Sequence, residues 1–241
     1  MMMKVAMKIA YNGANFCGFQ KQKDRQSVSG FLEEVFGSVG IFEKIIGSGR
    51  TDKGVHASAQ VISLKIPDFH KDLQKLQEIL NLKLYPLVKI KKIWRVDDDF
   101  HARFDAKRRG YCYVISQEYS PFIAPFAHYY CFQNVGIIKE ALREFEGLHN
   151  FKAFMKNDGS GAKGSVREIY KARLLKRGKF YIFLFWGNGF LRSQIRLMVG
   201  YLLEIDKGNL QISDLKKQLL GERIFSIPAP PNGLFLSSVK Y

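Results

Sequence analysis

Cysteine, acidic residues and long apolar runs are all scarce in this chain of 241 residues. The three cysteines, Cys17, Cys112 and Cys131, form no CxxC pair, so the sequence predicts neither a disulfide framework nor a zinc site. No apolar run reaches the length of a membrane span, and the first residues have no signal-peptide layout. We therefore expect a cytoplasmic protein with no metal, no nucleotide cofactor and no membrane partner.

Basic residues are in clear excess. The chain has 38 Lys and Arg against 22 Asp and Glu, which gives a formal net charge of +16 and a sequence pI near 9.7. An excess of this size favours a polyanionic partner. The charge is spread through the chain and not confined to a tail, so it predicts a positive surface or cleft. A basic, merely solvated surface is the alternative that composition alone leaves open.

The spacing of apolar residues predicts the order β-α-β-β-α-β twice. In the first half, we predict strands at residues 4–11, 41–46, 60–66 and 88–96, and helices near residues 28–39 and 73–80. In the second half, we predict strands at residues 111–115, 168–175, 180–186 and 235–239, and helices near residues 138–145, 190–205 and 215–220. This is a ferredoxin-like motif used twice. We expect an α+β fold with mainly antiparallel sheets flanking a central basic cleft, and two domains, residues 1–105 and 106–241.

The densest group of reactive side chains lies in residues 47–57, GSGRTDKGVHA. Three glycines allow backbone turns that a side chain would forbid, and Arg50, Asp52 and His56 lie among them. Two predicted strands flank this loop, and rigidly held loops are the usual place for catalytic groups. A solvated connection is the alternative. We interpret His56, and His101 further along, as positioning residues outside the catalytic set.

A second stretch joins cations to aromatic rings. Lys107, Arg108 and Arg109 directly precede Tyr111 and Tyr113. Such a combination suits an RNA surface, because cations meet phosphates while rings stack on bases. The alternative for the two tyrosines is the protein core, since alternate residues of a strand share one face.

A third stretch, residues 187–200, predicts a mostly apolar helix with Arg192 and Arg196 one turn apart on one face. A buried unpaired charge is unfavourable, so at least one of these arginines should meet a carboxylate or a phosphate. Asp52 is an attractive partner.

Together these stretches resemble the TruA-type tRNA pseudouridine synthases. The loop GRTDKGVHA resembles the family's signature GRTD(x)GVHA, and six further segments resemble its motifs in the same order. They are residues 11–20 (YNGANFCGFQ), 99–104 (DFHARF), 109–113 (RGYCY), 150–154 (NFKAF), 190–200 (FLRSQIRLMVG) and 229–234 (APPNGL). Asn12 stands where the family usually has Asp, and Phe19 where it often has Trp. We expect both to lie away from the nucleophile and to affect only RNA contacts.

The resemblance implies which residues act. Asp52 corresponds to the essential carboxylate, Arg196 to the arginine that favours its ionised form, Tyr111 to the tyrosine that stacks on the target base, and Arg50 to the arginine that enters the space left by the flipped base. The matched motifs add Arg103 and Leu234 as substrate-binding residues. The residues predicted to bind RNA are Lys21, Lys23, Arg25, Lys107, Arg108, Arg109, Lys152, Lys156, Lys163, Arg167 and Arg192. Four of these, Lys152, Lys156, Lys163 and Arg167, flank a polar segment that we expect to form an RNA-ordering loop.

The implied reaction is the isomerisation of uridine to pseudouridine at positions 38–40 of the tRNA anticodon arm, by a homodimer and without a cofactor. The C1′–N1 bond breaks, the base rotates, and C5 joins C1′. One alternative is a catalytically inactive tRNA-binding module of the same fold. Another is a metal-dependent nuclease with Asp97, Asp98 and Asp99 as ligands, although adjacent residues of a strand point to opposite faces.

Overall fold

The structure is a computed structural model that describes residues 1–156 and 164–241. These residues divide into two compact units, Met1–Lys107 with Phe235–Tyr241, and Arg108–Leu234. The C-terminal residues therefore group with the first unit. The two predicted domains, residues 1–105 and 106–241, stay a prediction, because compactness does not show that a unit folds alone.

The described elements alternate between strands and helices. In chain order they are β1 (Met2–Tyr11), α1 (Val28–Gly37), β2 (Ile46–Gly47), β3 (His56–Pro67), α2 (Leu73–Leu84), β4 (Val88–Arg95), β5 (Arg108–Ser116), β6 (His128–Tyr129), α3 (Val135–Arg143), β7 (Gly147–Asn150), β8 (Val166–Arg177), β9 (Phe180–Gly187), α4 (Gln194–Asp206), α5 (Ile212–Leu219) and β10 (Leu234–Lys240). No helix in the described part of the chain has the length and hydropathy needed to cross a membrane.

The sheet of the first unit has β1 at its centre. β1 pairs antiparallel with β3 on one side and with β4 on the other. β2 pairs antiparallel with β3, and β10 pairs parallel with the start of β3. The order β1-α1-β2-β3-α2-β4 is the ferredoxin-like motif that the sequence predicts.

The strand predicted at residues 41–46 is mostly absent. Only Ile46 and Gly47 pair with β3, while residues 41–45 are irregular. Ile41 and Ile45 are nevertheless 1% and 7% exposed. Burial in the core, and not pairing in a sheet, therefore explains the two isoleucines.

The second unit has its own antiparallel sheet, in the order β5-β9-β8-β7, with β6 added in parallel to β5. β8 and β9 form the predicted hairpin, and Gly178 takes the left-handed backbone conformation at its turn (φ +55°). α4 is buried along most of its length and packs against α3. The α+β class with mainly antiparallel sheets is thus confirmed.

The predicted helix at residues 190–205 begins later than expected, at Gln194. Ser193 has a left-handed backbone (φ 58°), which interrupts the helical conformation. The Gln194 side chain instead accepts a hydrogen bond from the Leu191 backbone N–H (2.8 Å). The preceding residues form a turn held by this side chain.

A buried carboxylate fixes the far end of α4. Asp206 is 4% exposed and accepts hydrogen bonds from the backbone N–H groups of Gln133 (2.9 Å) and Asn134 (2.8 Å). It also accepts one from the Tyr130 hydroxyl (2.7 Å). Burial, with a contribution from Asp206, raises the pKa of Tyr130, so this hydroxyl remains a donor at neutral pH.

Replacing Asp206 with Ala would leave three donors without their acceptor. We expect the free energy of unfolding to fall by about 3 kcal/mol, because each hydrogen bond to a charged group contributes roughly 1.5–3 kcal/mol and the three losses overlap. Urea unfolding measures this change. Glu140→Ala, at an exposed position on α3, is the control and should shift stability by less than about 0.5 kcal/mol. Equal stability of the two variants would contradict the anchoring role.

Candidate active site

Asp52 lies in the loop between β2 and β3. Its side chain is half-buried, Thr51 is buried, and Arg50 and Lys53 are exposed. The loop closes on itself where the Val55 backbone N–H donates to the Asp52 carbonyl (3.1 Å). Gly54 takes a positive φ of 77° inside this turn, a conformation that favours glycine.

The turn that follows β1 holds this loop from one side. The Phe19 backbone N–H donates to the Thr51 carbonyl (3.1 Å), next to Asp52. The hydroxyl of Tyr11 shares a buried hydrogen bond with the Thr51 hydroxyl (2.8 Å). The Gly13 backbone N–H donates to His56 Nδ1 (3.0 Å), just after the loop. Three hydrogen bonds thus hold Thr51 and His56, which lie on either side of Asp52.

A buried glutamine of β3 supports the beginning of the loop. Gln60 is 0% exposed, and its Nε2 donates to the Gly49 carbonyl (2.8 Å). Its Oε1 accepts a hydrogen bond from the Ser48 hydroxyl. One side chain therefore provides both a donor and an acceptor to the residues that precede Arg50.

Two glycines allow the turn and the loop to approach each other. A Cβ on Gly13 would lie 2.0 Å from the Val55 carbonyl oxygen, and one on Gly18 would lie 2.9 Å from the Thr51 carbonyl oxygen. Gly18 also has a positive φ of 100°. Because both neighbours are backbone atoms, a side chain at either position would displace the loop that carries Asp52.

The expectation that the turn lies away from the nucleophile is therefore wrong. Phe19 is 4% exposed and packs beside Gly47, where a Cβ would meet its ring at 2.5 Å. Asn12 caps the turn, since its side-chain oxygen accepts from the Ala14 backbone N–H (3.1 Å). A carboxylate could accept the same hydrogen bond, which explains why Asn can replace Asp here.

His56 has the contacts of a positioning residue. It is 1% exposed, and its ring stacks on Phe235 with centroids 4.6 Å apart. Because Nδ1 accepts from the Gly13 N–H, the lone pair of that nitrogen is engaged in holding the turn.

The segment at residues 99–104 is anchored through its backbone. Ala102 donates its N–H to the Ser63 hydroxyl (3.3 Å), and its carbonyl accepts from the Tyr241 hydroxyl (2.8 Å). Arg103 is exposed, and its guanidinium lies 5.8 Å from the ring centroid of Phe104, which is 76% exposed. The segment thus presents a cation and a ring side by side on a fixed backbone.

The two tyrosines of β5 lie on one face of the strand. Tyr113 is 0% exposed and donates its hydroxyl hydrogen to the Pro230 carbonyl (2.8 Å), and burial raises its pKa. The core interpretation is therefore correct for Tyr113, and it also agrees with the burial of Tyr111. Tyr111 is 8% exposed, and its ring meets that of Phe190 edge-on at 5.3 Å, which fixes the plane of the tyrosine ring.

Arg196 is a half-buried residue of α4. Its Nε donates to the Ala229 carbonyl (2.7 Å), and its own carbonyl accepts from the Ala229 N–H (2.8 Å). Arg192 is exposed and precedes the helix, so the prediction that both arginines share a helix face is wrong. Leu234 is 5% exposed at the start of β10. The pairing of Arg196 with Asp52 stays a prediction.

Most of the residues predicted to bind RNA are exposed. This group contains Lys21, Lys23, Arg25, Lys107, Arg108, Lys152, Lys156 and Arg192. Lys21 is engaged in an ion pair with Glu33 (2.7 Å). Lys163 lies outside the described residues.

Two of the predicted RNA-binding arginines are half-buried and donate to the backbone. Arg109 donates to the Asn188 carbonyl (3.0 Å). Arg167 donates to the carbonyls of Gly164 (2.8 Å) and Val166 (2.6 Å), and its burial lowers its pKa. Both guanidinium groups are thus anchored to the backbone of neighbouring segments.

The sequence interpretation missed the residues that hold the Asp52 loop, namely Tyr11, Gly13, Gly18 and Gln60. The glycines were visible as a turn signal, but their close approach to a loop about 40 residues away was not.

Across residues 1–156 and 164–241, no group of three or more His, Cys, Asp or Glu side chains could hold a metal ion.

Comparison with known proteins agrees with the motifs. The family model described as tRNA pseudouridine synthase matches residues 7–105 and 141–241. The chain belongs to this family. It is 42% identical to the tRNA pseudouridine synthase A of Helicobacter hepaticus over 97% of both chains, and 40% identical to that of Campylobacter jejuni over the full length of both. The enzyme of Pseudothermotoga lettingae is 36% identical over 97% of both chains. The resemblance to tRNA pseudouridine synthases is thus confirmed.

Gly13→Ala tests whether the turn positions the Asp52 loop. The added methyl group would overlap the Val55 carbonyl, so the loop must shift, and a displacement of about 1 Å can lower a rate by roughly 100-fold. We expect pseudouridine formation to fall by at least this factor and the melting temperature to fall as well. Gly37→Ala is the matched control, because its Cβ would lie at an ordinary 3.5 Å from the Phe42 ring. Full activity of Gly13→Ala would contradict the positioning role.

Proposed function

We propose that this protein converts uridine to pseudouridine at positions 38–40 of the tRNA anticodon arm, with Asp52 as the essential carboxylate. The reaction class and the tRNA substrate follow from membership of the tRNA pseudouridine synthases. The observation that carries the assignment of Asp52 is its position in the GRTDKGVHA loop, which Tyr11 and the turn after β1 hold by hydrogen bonds on both sides of Asp52.

The reaction is an isomerisation, so it consumes no external group. The C1′–N1 bond breaks, the detached base rotates in place, and C5 bonds to C1′. The hydrogen on C5 then leaves as a proton, and N1 gains one. Attack at C1′, attack on the base and a glycal route all require an ionised carboxylate at this position. A preorganised loop favours all three routes, because the carboxylate needs little rearrangement to reach the transition state.

Three further residues are proposed to act with Asp52. The edge-on contact with Phe190 fixes the ring of Tyr111, as a surface that stacks on the target base requires. The hydrogen bond to Ala229 orients the guanidinium of Arg196, which we propose favours ionised Asp52. The exposed Arg50 is proposed to enter the space left by the flipped base. Arg103 and Leu234 complete the proposed substrate-binding set.

The proposed assembly is a homodimer in the cytoplasm, with tRNA contacting both copies. Support for an extended RNA contact comes from the net charge of +16 and from the exposed cations in the predicted RNA-binding set. Lys152, Lys156 and Arg167, together with Lys163, are proposed to belong to an RNA-ordering loop.

Asp52→Asn tests the proposal while it preserves the shape of the side chain. We expect wild-type protein to release tritium from tRNA that carries 5-tritiated uridine, in the presence of EDTA. Asp52→Asn should lose at least about 1,000-fold in rate, since removing a nucleophile leaves only binding effects, and its tRNA affinity should stay within threefold of wild type. Asp97→Asn, an exposed carboxylate of the same unit, is the control and should retain the wild-type rate.

Other outcomes would favour the alternatives. Tight tRNA binding by wild-type protein without tritium release would favour an inactive binding module. Strand cleavage that requires added magnesium and is lost in Asp97→Asn would favour the nuclease. Equal release by wild type and Asp52→Asn would remove Asp52 from the mechanism.

A further inference from the structure

The sheet of the first unit carries a row of lysines that none of the family motifs includes. Lys4 of β1 lies directly opposite Lys65 of β3, and Lys8 of β1 lies directly opposite Lys92 of β4. Lys89 of β4 lies opposite Ala10 of β1. Alternate residues of β1 and directly paired residues of neighbouring strands point to the same side, and a register shift between Lys8 and Ile9 brings Lys89 and Lys92 to that side together. These five lysines therefore share one face of the sheet, which we call the lysine face.

The other face of the same sheet is the core side. On β4, Val88, Ile90 and Ile93 are buried, and α2 packs against this strand. Lys89 and Lys92 on the same strand are exposed. The lysine face therefore lies on the side of the sheet opposite to α2.

Nothing in the three strands neutralises this charge. β1, β3 and β4 contain no Asp or Glu. Lys8, Lys65, Lys89 and Lys92 are exposed, and none of them forms an ion pair with another described residue. Elsewhere lysines do pair, as Lys179 does with Glu118 (3.1 Å).

The arrangement is unfavourable for the isolated protein. Like charges directly opposite each other on neighbouring strands destabilise a sheet, and this face has two such pairs, Lys4 with Lys65 and Lys8 with Lys92. Departures from favourable local patterns are concentrated at functional sites. An external polyanion would convert this repulsion into attraction.

The charge is strongest at the end of the sheet nearest to Asp52. At the other end, Lys4 Nζ donates to the Asp98 carbonyl (2.8 Å), and three aspartates follow β4 there. Lys8 lies three residues before Tyr11, which is about 10 Å along the strand, and Tyr11 bonds to Thr51 beside Asp52. One RNA molecule could therefore contact both the Asp52 loop and the lysine face.

The lysine face fits phosphates better than bases or lipid. Between Lys4 and Lys8, Ala6 is 0% exposed and its partner Ser63 accepts a hydrogen bond from the Ala102 N–H, so the middle of this face is covered. Its open part is the exposed group Lys8, Lys89 and Lys92, which can neutralise neighbouring phosphates. Lysines are point charges that neutralise phosphates without reading sequence. The aromatic residue here, Trp94, is half-buried with Lys92 Nζ 6.0 Å from its ring, so it is poorly placed to insert into a membrane.

We propose that the lysine face (Lys4, Lys8, Lys65, Lys89 and Lys92) binds the phosphate backbone of tRNA outside the site of the target uridine. This inference rests on the proposed tRNA substrate. It adds a contact surface that acts through charge alone, on the unit that carries Asp52.

The double variant Lys8→Gln/Lys92→Gln tests the proposal by direct binding of full-length tRNA. We expect the Kd to rise by about tenfold at 0.1 M salt, and the slope of log K against log salt to become shallower by about 2, because each phosphate contact contributes about 1. Lys75→Gln/Lys83→Gln is the matched control, since it removes two exposed lysines from α2 on the opposite side of the sheet. The control should leave the slope unchanged.

Thermal unfolding separates binding from folding. The Lys8→Gln/Lys92→Gln variant should melt at the wild-type temperature or above it, because a repulsive pair has been removed. A lower melting temperature would overturn the argument, and so would an unchanged Kd and slope or an equal effect of the α2 control.

Loss of binding to phosphatidylserine vesicles with unchanged tRNA binding would replace RNA with a membrane as the partner. A wild-type protein that releases no tritium, with the salt effect intact, would overturn the proposed function and leave the lysine face supported.

Discussion

The approach of one backbone segment to another is the constraint on which the candidate active site depends. The turn after β1 lies against the Asp52 loop so closely that Gly13 and Gly18 have no room for a side chain. Hydrogen bonds from Tyr11, Gly13 and Phe19 then fix the loop on both sides of the carboxylate. A carboxylate held in this way would need little rearrangement in the reaction proposed for Asp52, and such preorganisation is a large contribution that a protein can make to catalysis.

The same contact explains why the N-terminal motif and the aspartate loop occur together. Neither segment has regular secondary structure of its own along most of its length, so each depends on the other for its conformation. β1 carries the turn and β3 follows the loop, and these two strands pair directly. The sheet therefore brings together two segments that are about 40 residues apart in the chain.

Much of this could be predicted from the sequence, because period-two alternation and glycine-rich turns depend on nearby residues alone. Most of the strands and helices and the loop around Asp52 follow from such local signals, whereas the short strands β6 and β7 were not predicted. The prediction of a strand at residues 41–46 was wrong, because the sequence does not distinguish isoleucines buried in a strand from isoleucines buried in an irregular segment. The predicted start of α4 was wrong because Ser193 has a left-handed backbone, which excludes the preceding residues from the helix although their apolar spacing is helical. The position of the turn against Asp52 was missed because sequence periodicity carries no information on which loops touch.

The arrangement of the basic residues could not be predicted from the sequence either. Composition gives an excess of basic residues but not their arrangement, and the pairing of strands decides which lysines become neighbours. Lys21 is neutralised by Glu33, whereas Lys8 faces Lys92 across the sheet. The sign of the net charge thus indicates the class of partner, and the register of the sheet indicates where that partner could bind.

Hydrogen exchange in the free protein tests the central claim, that the Asp52 loop is held in place before RNA binds. The account predicts that the backbone amides of Gly13, Phe19 and Val55 are protected to within about tenfold of those in the centre of β1, because all three are hydrogen-bonded in a buried contact. Exchange of these amides at the rate of exposed loops, with protection appearing only when tRNA is added, would contradict it.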